Sequence, residues 1–499
     1  MNTPLRRVGM AMLVMVVLLL ANSTYLQVIK ADDYREDPRN RRVLLEEYSR
    51  ERGKILLRNA DGQMVALATV TPTNNRLRFL RQYTNGPMYA PITGFYSTRY
   101  GATGLERAED EILNGSDDRL FVRRLSDLIT GRDPRGGNVV TTINPAAQKA
   151  AYDAMESKDF RGSVVALDPK TGAILAMVST PSFDPNPLAA HDGSVQEKAW
   201  TSYEKNKSNP MLNRAARELY APGSTFKLVV AAAALEDGMS KDDQVTATDR
   251  IAVGGSELRN YNRGFCNGSR TTVPMEIALA QSCNTAFAQL AHDMGADRLA
   301  EQAEAFGIGD PELAVPMPVV QSCIGPNVDG ACMVVADENA LYQSGIGQRD
   351  VRLSPLQNAM IAGAIANGGE VMRPQLIDRV LAPDLSEITR FDEESIGDAM
   401  SGGSAEQLTQ MMVASEQNTG GGGKVDGLTI ASKTGTAETG NDPKNTPPFA
   451  WYVAFAPAED PKVAVAVVVE SQDVAATGGK LSAEIGRLTM RAVLGVGGR

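Results

Sequence analysis

The chain has 499 residues, too many for one compact core, and its length predicts roughly two to four domains. Its 43% hydrophobic and 22% charged residues exclude wholesale disorder, and its net charge of -10 argues against nucleic acid as a partner. Only two histidines occur, His191 and His292, which excludes a histidine-rich metal site. We expect each histidine to have ordinary surroundings, and we expect no metal and no organic cofactor.

The N-terminal segment is apolar from Val8 onward and extends to Ile29 with polar residues near its end, behind Arg6 and Arg7. A transmembrane helix needs about 20 mostly apolar residues, which this segment supplies. A signal peptide fits as well, since Ala21-Asn22-Ser23 is a passable cleavage site. Hydropathy alone leaves both interpretations open, and both place the body outside the cytoplasm with the two arginines inside.

Residues 30–50 are charged and predict a juxtamembrane segment, and an irregular region of short strand-like runs follows to about residue 137. A strand is predicted over Val139–Ile143, and then a helix over Pro145–Met155 with Asn144 as its N-cap. The apolar runs 163–167 and 173–178 flank an Asp-Pro-Lys-Thr-Gly turn, which predicts a hairpin.

The second half of the chain adds helices and one more hairpin. Most of the chain between the hairpin at 163–178 and residue 451 is predicted to be helical, including a helix from Ser354-Pro355 towards Asn367. The glycine run Gly420–Gly423 predicts a flexible loop. A second hairpin is predicted over 451–469 and a final helix near Ser482–Leu494. Strands at both ends of the region predict an α/β or α+β domain whose sheet is completed by the C-terminal part.

The first chemical motif is Ser224-Thr-Phe-Lys227, which follows a Pro-Gly turn and opens an Ala-rich apolar stretch. Residues three apart share a helix face, so the serine hydroxyl and the lysine amine are expected to be neighbours. A helix N-terminus favours a developing anion, and burial keeps a lysine neutral and able to act as a general base. The alternative is that Ser224 only caps the helix while Lys227 reaches solvent.

Two further motifs follow in the chain. Ser282-Cys283-Asn284 lies between predicted helices and offers a hydroxyl and an amide, or simply a polar helix cap. The run Leu428–Glu438 alternates as a strand and contains Lys433-Thr434-Gly435-Thr436. Its cation and hydroxyl suit a substrate carboxylate, and its glycine suits close backbone approach.

The order Ser-x-x-Lys, Ser-x-Asn, Lys-Thr-Gly resembles that of the penicillin-recognising serine enzymes. The resemblance implies a transpeptidase domain of the penicillin-binding and β-lactamase-like fold, with a central antiparallel sheet flanked by helices. It implies Ser224 as the acylated nucleophile, Lys227 as its base, and Ser282 and Asn284 as the proton relay and substrate contact. The implied roles of Lys433, Thr434, Gly435 and Thr436 are carboxylate binding and, with the N–H of Ser224, an oxyanion hole.

Other segments are similar to the class B branch of penicillin-binding proteins, and most of all to its shorter actinobacterial-type members, penicillin-binding protein A. They are Arg52-Gly53-Lys54-Ile55, followed by a degenerate element at 57–62, then Gly104-Leu105-Glu106, Asn213-Arg214-Ala215 and Gly345-Ile346-Gly347-Gln348. This resemblance favours an uncleaved anchor at 8–29 behind a cytoplasmic tail at 1–7. It also implies a pedestal or dimerisation-type domain at 30–155 and the transpeptidase domain at 156–499.

The expected reaction is cross-linking of peptidoglycan stem peptides, from a D-Ala-D-Ala donor to an amine acceptor, with β-lactams as inhibitors. A β-lactamase is a rival, although its E-x-x-L-N loop has only an incomplete match at Glu338–Tyr342. Two more rivals are a D,D-carboxypeptidase and a non-catalytic penicillin-binding receptor or scaffold. Divisome or elongation proteins are expected partners of the pedestal, and the membrane a further one.

Four cysteines occur in a chain expected to be exported, so disulfides are permitted. The simplest pairing is Cys266 with Cys283 and Cys323 with Cys332. Free buried thiols are the alternative.

Overall fold

The structure is a computed structural model that describes residues 2–30, 48–121, 129, 135–261, 264–333, 335, 337–440 and 445–496. A helix over Asn2–Thr24 continues as a π-helical turn over Tyr25–Ile29. Its residues Arg6–Ile29 are long and apolar enough to cross a membrane and are not buried against the rest of the chain. Most of the predicted juxtamembrane segment lies outside the described residues.

The main sheet has five antiparallel strands, and both of its faces are buried. In spatial order the strands are Ala431–Ala437, Phe449–Ala456, Val463–Glu470, Arg161–Leu167 and Ile174–Thr180. Alternate residues enter separate apolar clusters: Val165 packs into one and its neighbour Val164 into the other. Burial on both faces explains why these strands are nearly continuous apolar runs in the sequence. The two predicted hairpins are confirmed, and the C-terminal one completes the sheet.

Helices cover the two faces of the main sheet. Pro145–Glu156 and Ala483–Leu494 pack on one face, and Pro355–Ala366 packs on the other. The predicted cap is confirmed, because the Asn144 side chain accepts from two N–H groups of the first helical turn. Ser354 caps the helix Pro355–Ala366 in a similar way, through one bond from the N–H of Gln357. Other α-helices are Gly86–Thr93, Gly104–Ala108, Asp110–Asn114, Asn186–Ala189, Gly193–Glu204, Arg214–Arg217, Lys227–Glu236, Met275–Ala280, Asn284–Met294, Ala296–Ala305, Glu338–Ser344, Gly402–Gln417 and Gly478–Leu481.

Short two-stranded ribbons interrupt the region that the sequence predicts as largely helical. Their residues are mostly half-buried or exposed, so no strong apolar alternation marks them in the sequence. The pairs are Gln244–Thr246 with Thr272–Pro274, Arg250–Val253 with Ser256–Arg259, Asn327–Val328 with Ala331–Cys332, and Glu370–Met372 with Ser395–Asp398. A further pair, Tyr96–Ser97 with Gly101–Ala102, lies earlier in the chain.

A second sheet, the pedestal sheet, combines two distant parts of the chain. Its six strands, in spatial order, are Glu387–Arg390, Ile377–Leu381, Asn138–Thr141, Ile55–Arg58, Met64–Pro72 and Phe79–Tyr83. The region before residue 137, predicted as irregular with short strand-like runs, contains three regular strands of this sheet. The sheet also includes a hairpin from beyond the predicted domain boundary at 155/156, and that boundary stays a prediction.

The two pedestal motifs meet in a buried ionic cluster. The Glu106 carboxylate is fully buried and accepts from Arg52 Nε at 2.7 Å and from Arg81 Nε at 2.6 Å. Burial alone would raise the pKa of Glu106, but the two arginines reverse that effect and lower it. A Cβ on Gly53 would lie 1.7 Å from the carbonyl oxygen of Gly137. The two backbone segments therefore approach too closely for any residue other than glycine at position 53.

All four cysteines are paired, as the simplest prediction had it. Cys266 bonds to Cys283 with their Cα atoms 5.5 Å apart, and Cys323 bonds to Cys332 with their Cα atoms 5.4 Å apart. The alternative of free buried thiols is therefore wrong for this structure.

Candidate active site

Ser224 lies in a short 3-10 turn, Gly223–Phe226, that leads directly into the helix Lys227–Glu236. The sequence predicts the serine at the start of this helix, and the structure places it in the turn just before the first α-helical residue. Nine of the ten residues of the helix are buried, as its apolar sequence predicts. Ser224 is partly exposed while Gly223 and Thr225 are buried, so its side chain is the part of the turn that a ligand can reach.

Two hydrogen bonds hold the chain just before Ser224. The indole Nε1 of Trp451 donates to the carbonyl oxygen of Ala221 at 3.0 Å, and the N–H of Gly223 donates to the carbonyl oxygen of Gly347 at 2.9 Å. Gly347 has φ of +69°, and a Cβ there would lie 2.1 Å from the Gly223 carbonyl oxygen. The motif Gly345–Gln348 therefore supports the turn that carries the serine.

Lys227 is fully buried and directs its amine at the second motif. Its Nζ donates to the Ser282 carbonyl oxygen and to Asn284 Oδ1, both at 2.8 Å, and lies 3.3 Å from Ser282 Oγ. Burial, and next the charge of Lys433, lower the pKa of Lys227 well below its usual range. The site thus favours the neutral amine, which is the form that accepts a proton, and the alternative that Lys227 reaches solvent is wrong.

The second motif occupies the connection between the helices Met275–Ala280 and Asn284–Met294. Ser282 has φ of +57°, a left-handed conformation that is strained for a residue with a side chain. The next residue, Cys283, is fixed by its disulfide, and Asn284 Nδ2 donates to the carbonyl oxygen of Arg259 at 3.1 Å. Local covalent and hydrogen bonds therefore hold Ser282 in this conformation.

Lys433 completes a polar chain through the site. Its Nζ donates to Ser282 Oγ at 2.9 Å and to the Thr434 carbonyl oxygen at 2.9 Å. Ser282 Oγ thereby contacts both lysine amines and links Lys227 to Lys433. Burial lowers the pKa of Lys433 to about 7.

The third motif lies on Ala431–Ala437, the edge strand of the main sheet. Thr434 and Thr436 are half-buried, whereas Gly435 is buried against the serine turn. A Cβ on Gly435 would lie 2.7 Å from the Pro222 carbonyl oxygen, and one on Gly223 would lie 2.9 Å from the Thr436 carbonyl oxygen. The structure thus brings all three predicted motifs together in one site.

A buried ion pair that the sequence patterns do not predict lies behind the third motif. Arg487 Nε donates to Glu416 Oε1 at 2.8 Å, and Glu416 Oε2 accepts from the hydroxyl groups of Ser432 and Tyr452. Ser432 directly precedes Lys433, so the pair supports the strand that carries the lysine. The two charged residues are far apart in sequence, and each lies on a helix where its sequence context resembles that of an ordinary surface charge.

The same arginine holds the predicted flexible loop. Arg487 Nη1 donates to the carbonyl oxygens of Gly420, Gly421 and Gly422 at 3.0, 2.9 and 2.8 Å. The glycine run is therefore tied to the C-terminal helix through three of its carbonyl groups.

Both histidines have ordinary surroundings, as predicted. His191 Nε2 lies 3.0 Å from the carbonyl oxygen of Phe79 in the pedestal sheet, and the His292 ring stacks on Tyr342. The helix that follows the serine turn begins with a buried lysine, and among the described residues neither histidine bonds to the three motifs, which separates this site from a Ser-His-Asp arrangement.

The chain matches two family models. The penicillin binding protein transpeptidase domain matches residues 162–491, which include all three motifs. The penicillin binding protein A dimerisation domain matches residues 52–139, which include most of the pedestal sheet.

Close relatives and solved structures match almost the whole chain. It is 53% identical to the peptidoglycan D,D-transpeptidase PbpA of Mycolicibacterium smegmatis and 50% identical to that of Mycobacterium tuberculosis, over 99% of this chain and of each relative. The ceftriaxone acyl-enzyme complex of M. tuberculosis penicillin-binding protein A is 50% identical and covers 90% of this chain and 100% of its own, with a TM-score of 0.85. Its penicillin G acyl-enzyme complex gives a TM-score of 0.83 over 89% of this chain and 100% of its own.

Proposed function

The chain belongs to the penicillin-binding protein transpeptidase family, and from this membership we propose that it is a peptidoglycan D,D-transpeptidase that forms an acyl-enzyme on Ser224. The observation that carries the proposal is the polar chain beside this serine, in which Ser282 Oγ contacts the amines of Lys227 and Lys433. The relatives that carry this activity in their names, and the β-lactam complexes of one of them, support the same chemistry.

Acylation begins when Ser224 Oγ attacks the carbonyl carbon of the penultimate D-Ala of a donor stem peptide. The neutral amine of Lys227 accepts the hydroxyl proton, and its bonds to Ser282 and Asn284 keep it oriented. The peptide C–N bond then breaks, and the Ser282 hydroxyl relays a proton to the departing amine. The terminal D-Ala leaves, and the rest of the donor stays on Ser224 as an ester.

The third motif binds the end of the donor. Lys433 and Thr434 hold the terminal carboxylate, and a carboxylate beside Lys433 raises the lysine's pKa, so that the bound complex keeps the amine charged. Gly435 lets the donor backbone lie along the edge strand Ala431–Ala437 of the main sheet. The N–H groups of Ser224 and Thr436 stabilise the oxyanion.

An amine on a neighbouring stem peptide resolves the ester and forms the cross-link. Transfer to water would give a D,D-carboxypeptidase, and rapid hydrolysis of a β-lactam ester would give a β-lactamase. The glutamate of the incomplete β-lactamase-like match, Glu338, is exposed at the start of its helix, which does not favour that alternative.

We infer a single-pass topology with residues 1–7 in the cytoplasm, an anchor at 8–29 and the body on the outer side. Arg6 and Arg7 agree with the excess of basic residues found on the cytoplasmic side. The two disulfides agree with an oxidising compartment. The pedestal is then available to divisome or elongation proteins at the membrane surface.

Intact-protein mass spectrometry with benzylpenicillin tests this proposal. The soluble body should gain one drug mass and keep it, and the Ser224→Ala variant should gain none. An adduct that disappears with turnover of the drug would identify a β-lactamase, and the absence of any adduct would favour a non-catalytic scaffold. Incubation with a donor peptide and an amine acceptor then separates a cross-linked product from simple hydrolysis.

A further inference from the structure

The helix Pro355–Ala366 carries two adjacent buried amides in an otherwise apolar sequence. Gln357 and Asn358 are 1% and 0% exposed. Gln357 Nε2 donates to the carbonyl oxygen of Phe306 at 2.9 Å, and Asn358 Nδ2 donates to Thr225 Oγ1 at 3.1 Å. A buried amide is costly unless it is hydrogen-bonded, so each one has a definite structural partner, and for Asn358 that partner is the residue after the nucleophile.

The hydrogen bond between Asn358 and Thr225 continues to a second one across the turn that carries Ser224. Thr225 Oγ1 donates to the Pro222 carbonyl oxygen at 3.0 Å and accepts from Asn358. Ser224 lies between the two turn residues that this chain of hydrogen bonds joins. Each bond polarises the next, and the surroundings are dry, so the chain is stronger than two isolated bonds in water.

We propose that Asn358 is a positioning residue for Ser224, which it fixes from the core through Thr225 and Pro222. This role rests on the proposed acylation of Ser224. The Pro222 carbonyl oxygen would lie only 2.7 Å from a Cβ on Gly435, so the third motif limits movement of the turn on that side. Asn358 limits it from the helix, and Ser224 Oγ is thereby held in place for attack.

Because Asn358 is fully buried, its loss acts on the chemical step and not on ligand contacts. We expect Asn358→Leu to lower the first-order rate of acylation by benzylpenicillin by about tenfold or more, because small misplacements of a reacting group cost that much. The pre-acylation binding constant and the final adduct of one drug mass per protein should stay unchanged. If Asn358 had only a structural role, the variant would contain a smaller fraction of protein that can be acylated. The folded molecules would still be acylated at the wild-type rate.

The neighbouring Gln357→Leu variant is the matched control. It removes one buried amide hydrogen bond from the same helix but leaves Thr225 untouched. Thermal stability should therefore fall in both variants, whereas the acylation rate should fall only in Asn358→Leu. Equal acylation rates in the two variants would overturn the proposal.

Changes at Thr225 keep the proposal testable if Asn358→Leu does not fold. Thr225→Val removes the hydroxyl and should slow acylation, whereas Thr225→Ser keeps the hydroxyl and should restore it. Where Asn358→Leu does fold, the double variant of Asn358→Leu and Thr225→Val should be no slower than the slower single variant, since both act through one chain of hydrogen bonds. Independent, additive effects would overturn the proposal. The proposed function fails on a different observation. It fails if the wild-type protein forms no benzylpenicillin adduct, or if the Ser224→Ala variant still forms one.

Discussion

Replacing Glu416 by glutamine is expected to destabilise the protein by about 3 kcal/mol, because it leaves Arg487 as a buried cation without its anion. Glu416 Oε1 lies 2.8 Å from Arg487 Nε and 2.7 Å from Arg487 Nη2, and the arginine side chain is fully buried. Breaking such a pair costs about 3–5 kcal/mol, and we expect the lower end because three glycine carbonyl groups still accept from Arg487.

Denaturant unfolding of the soluble body measures this cost, with Arg487→Met and the double variant completing a cycle. The double variant should be more stable than Glu416→Gln alone, because it removes the stranded charge along with its partner. A loss below about 1 kcal/mol in Glu416→Gln, or a double variant whose loss equals the sum of the two single losses, would refute the reasoning.

Three further outcomes are expected. Replacing both cysteines of the disulfide at Cys283 by serine should slow acylation by benzylpenicillin, whereas the same change at the other disulfide should cost stability without slowing it. Gly347→Ala should destabilise the body by at least about 1 kcal/mol and slow acylation, since the new methyl group meets a carbonyl oxygen behind Ser224; unchanged thermal unfolding would contradict this. The pKa of Glu106 is lowered on folding, so its stabilising effect is complete above the ordinary pKa of about 4.3 and is lost as the pH falls below that value. Unfolding curves of Glu106→Gln should therefore depend less steeply on acid pH than those of the wild type, and identical slopes would argue against the role of this carboxylate.

Local chemistry made much of this molecule predictable from its sequence. The two hairpins follow from apolar runs around turn residues, and the helix starts at Pro145 and Pro355 follow from the cap and proline that precede or open each helix. The three motifs predicted a single site because their order resembles that of the penicillin-recognising serine enzymes, and the structure places them in contact.

Contacts between distant residues could not be predicted in the same way. The pairing of Glu416 with Arg487 and that of Asn358 with Thr225 leave no local periodicity in the chain. The left-handed conformation of Ser282 was equally hidden, since serine rarely adopts it and the surrounding bonds enforce it. The short ribbons were missed because their exposed strands carry little apolar alternation.

The make-up of the pedestal sheet has a consequence for the order in which the chain folds. The strand Asn138–Thr141 pairs with Ile377–Leu381, and Asn138 Nδ2 donates to the Ala382 carbonyl oxygen across 244 residues of sequence. During synthesis from the N-terminus, the strand Asn138–Thr141 therefore keeps an open edge until Ile377–Leu381 has been made. A fragment that ends before residue 377 keeps that edge open and is expected to aggregate. We therefore expect the pedestal sheet and the catalytic body to complete their folding together.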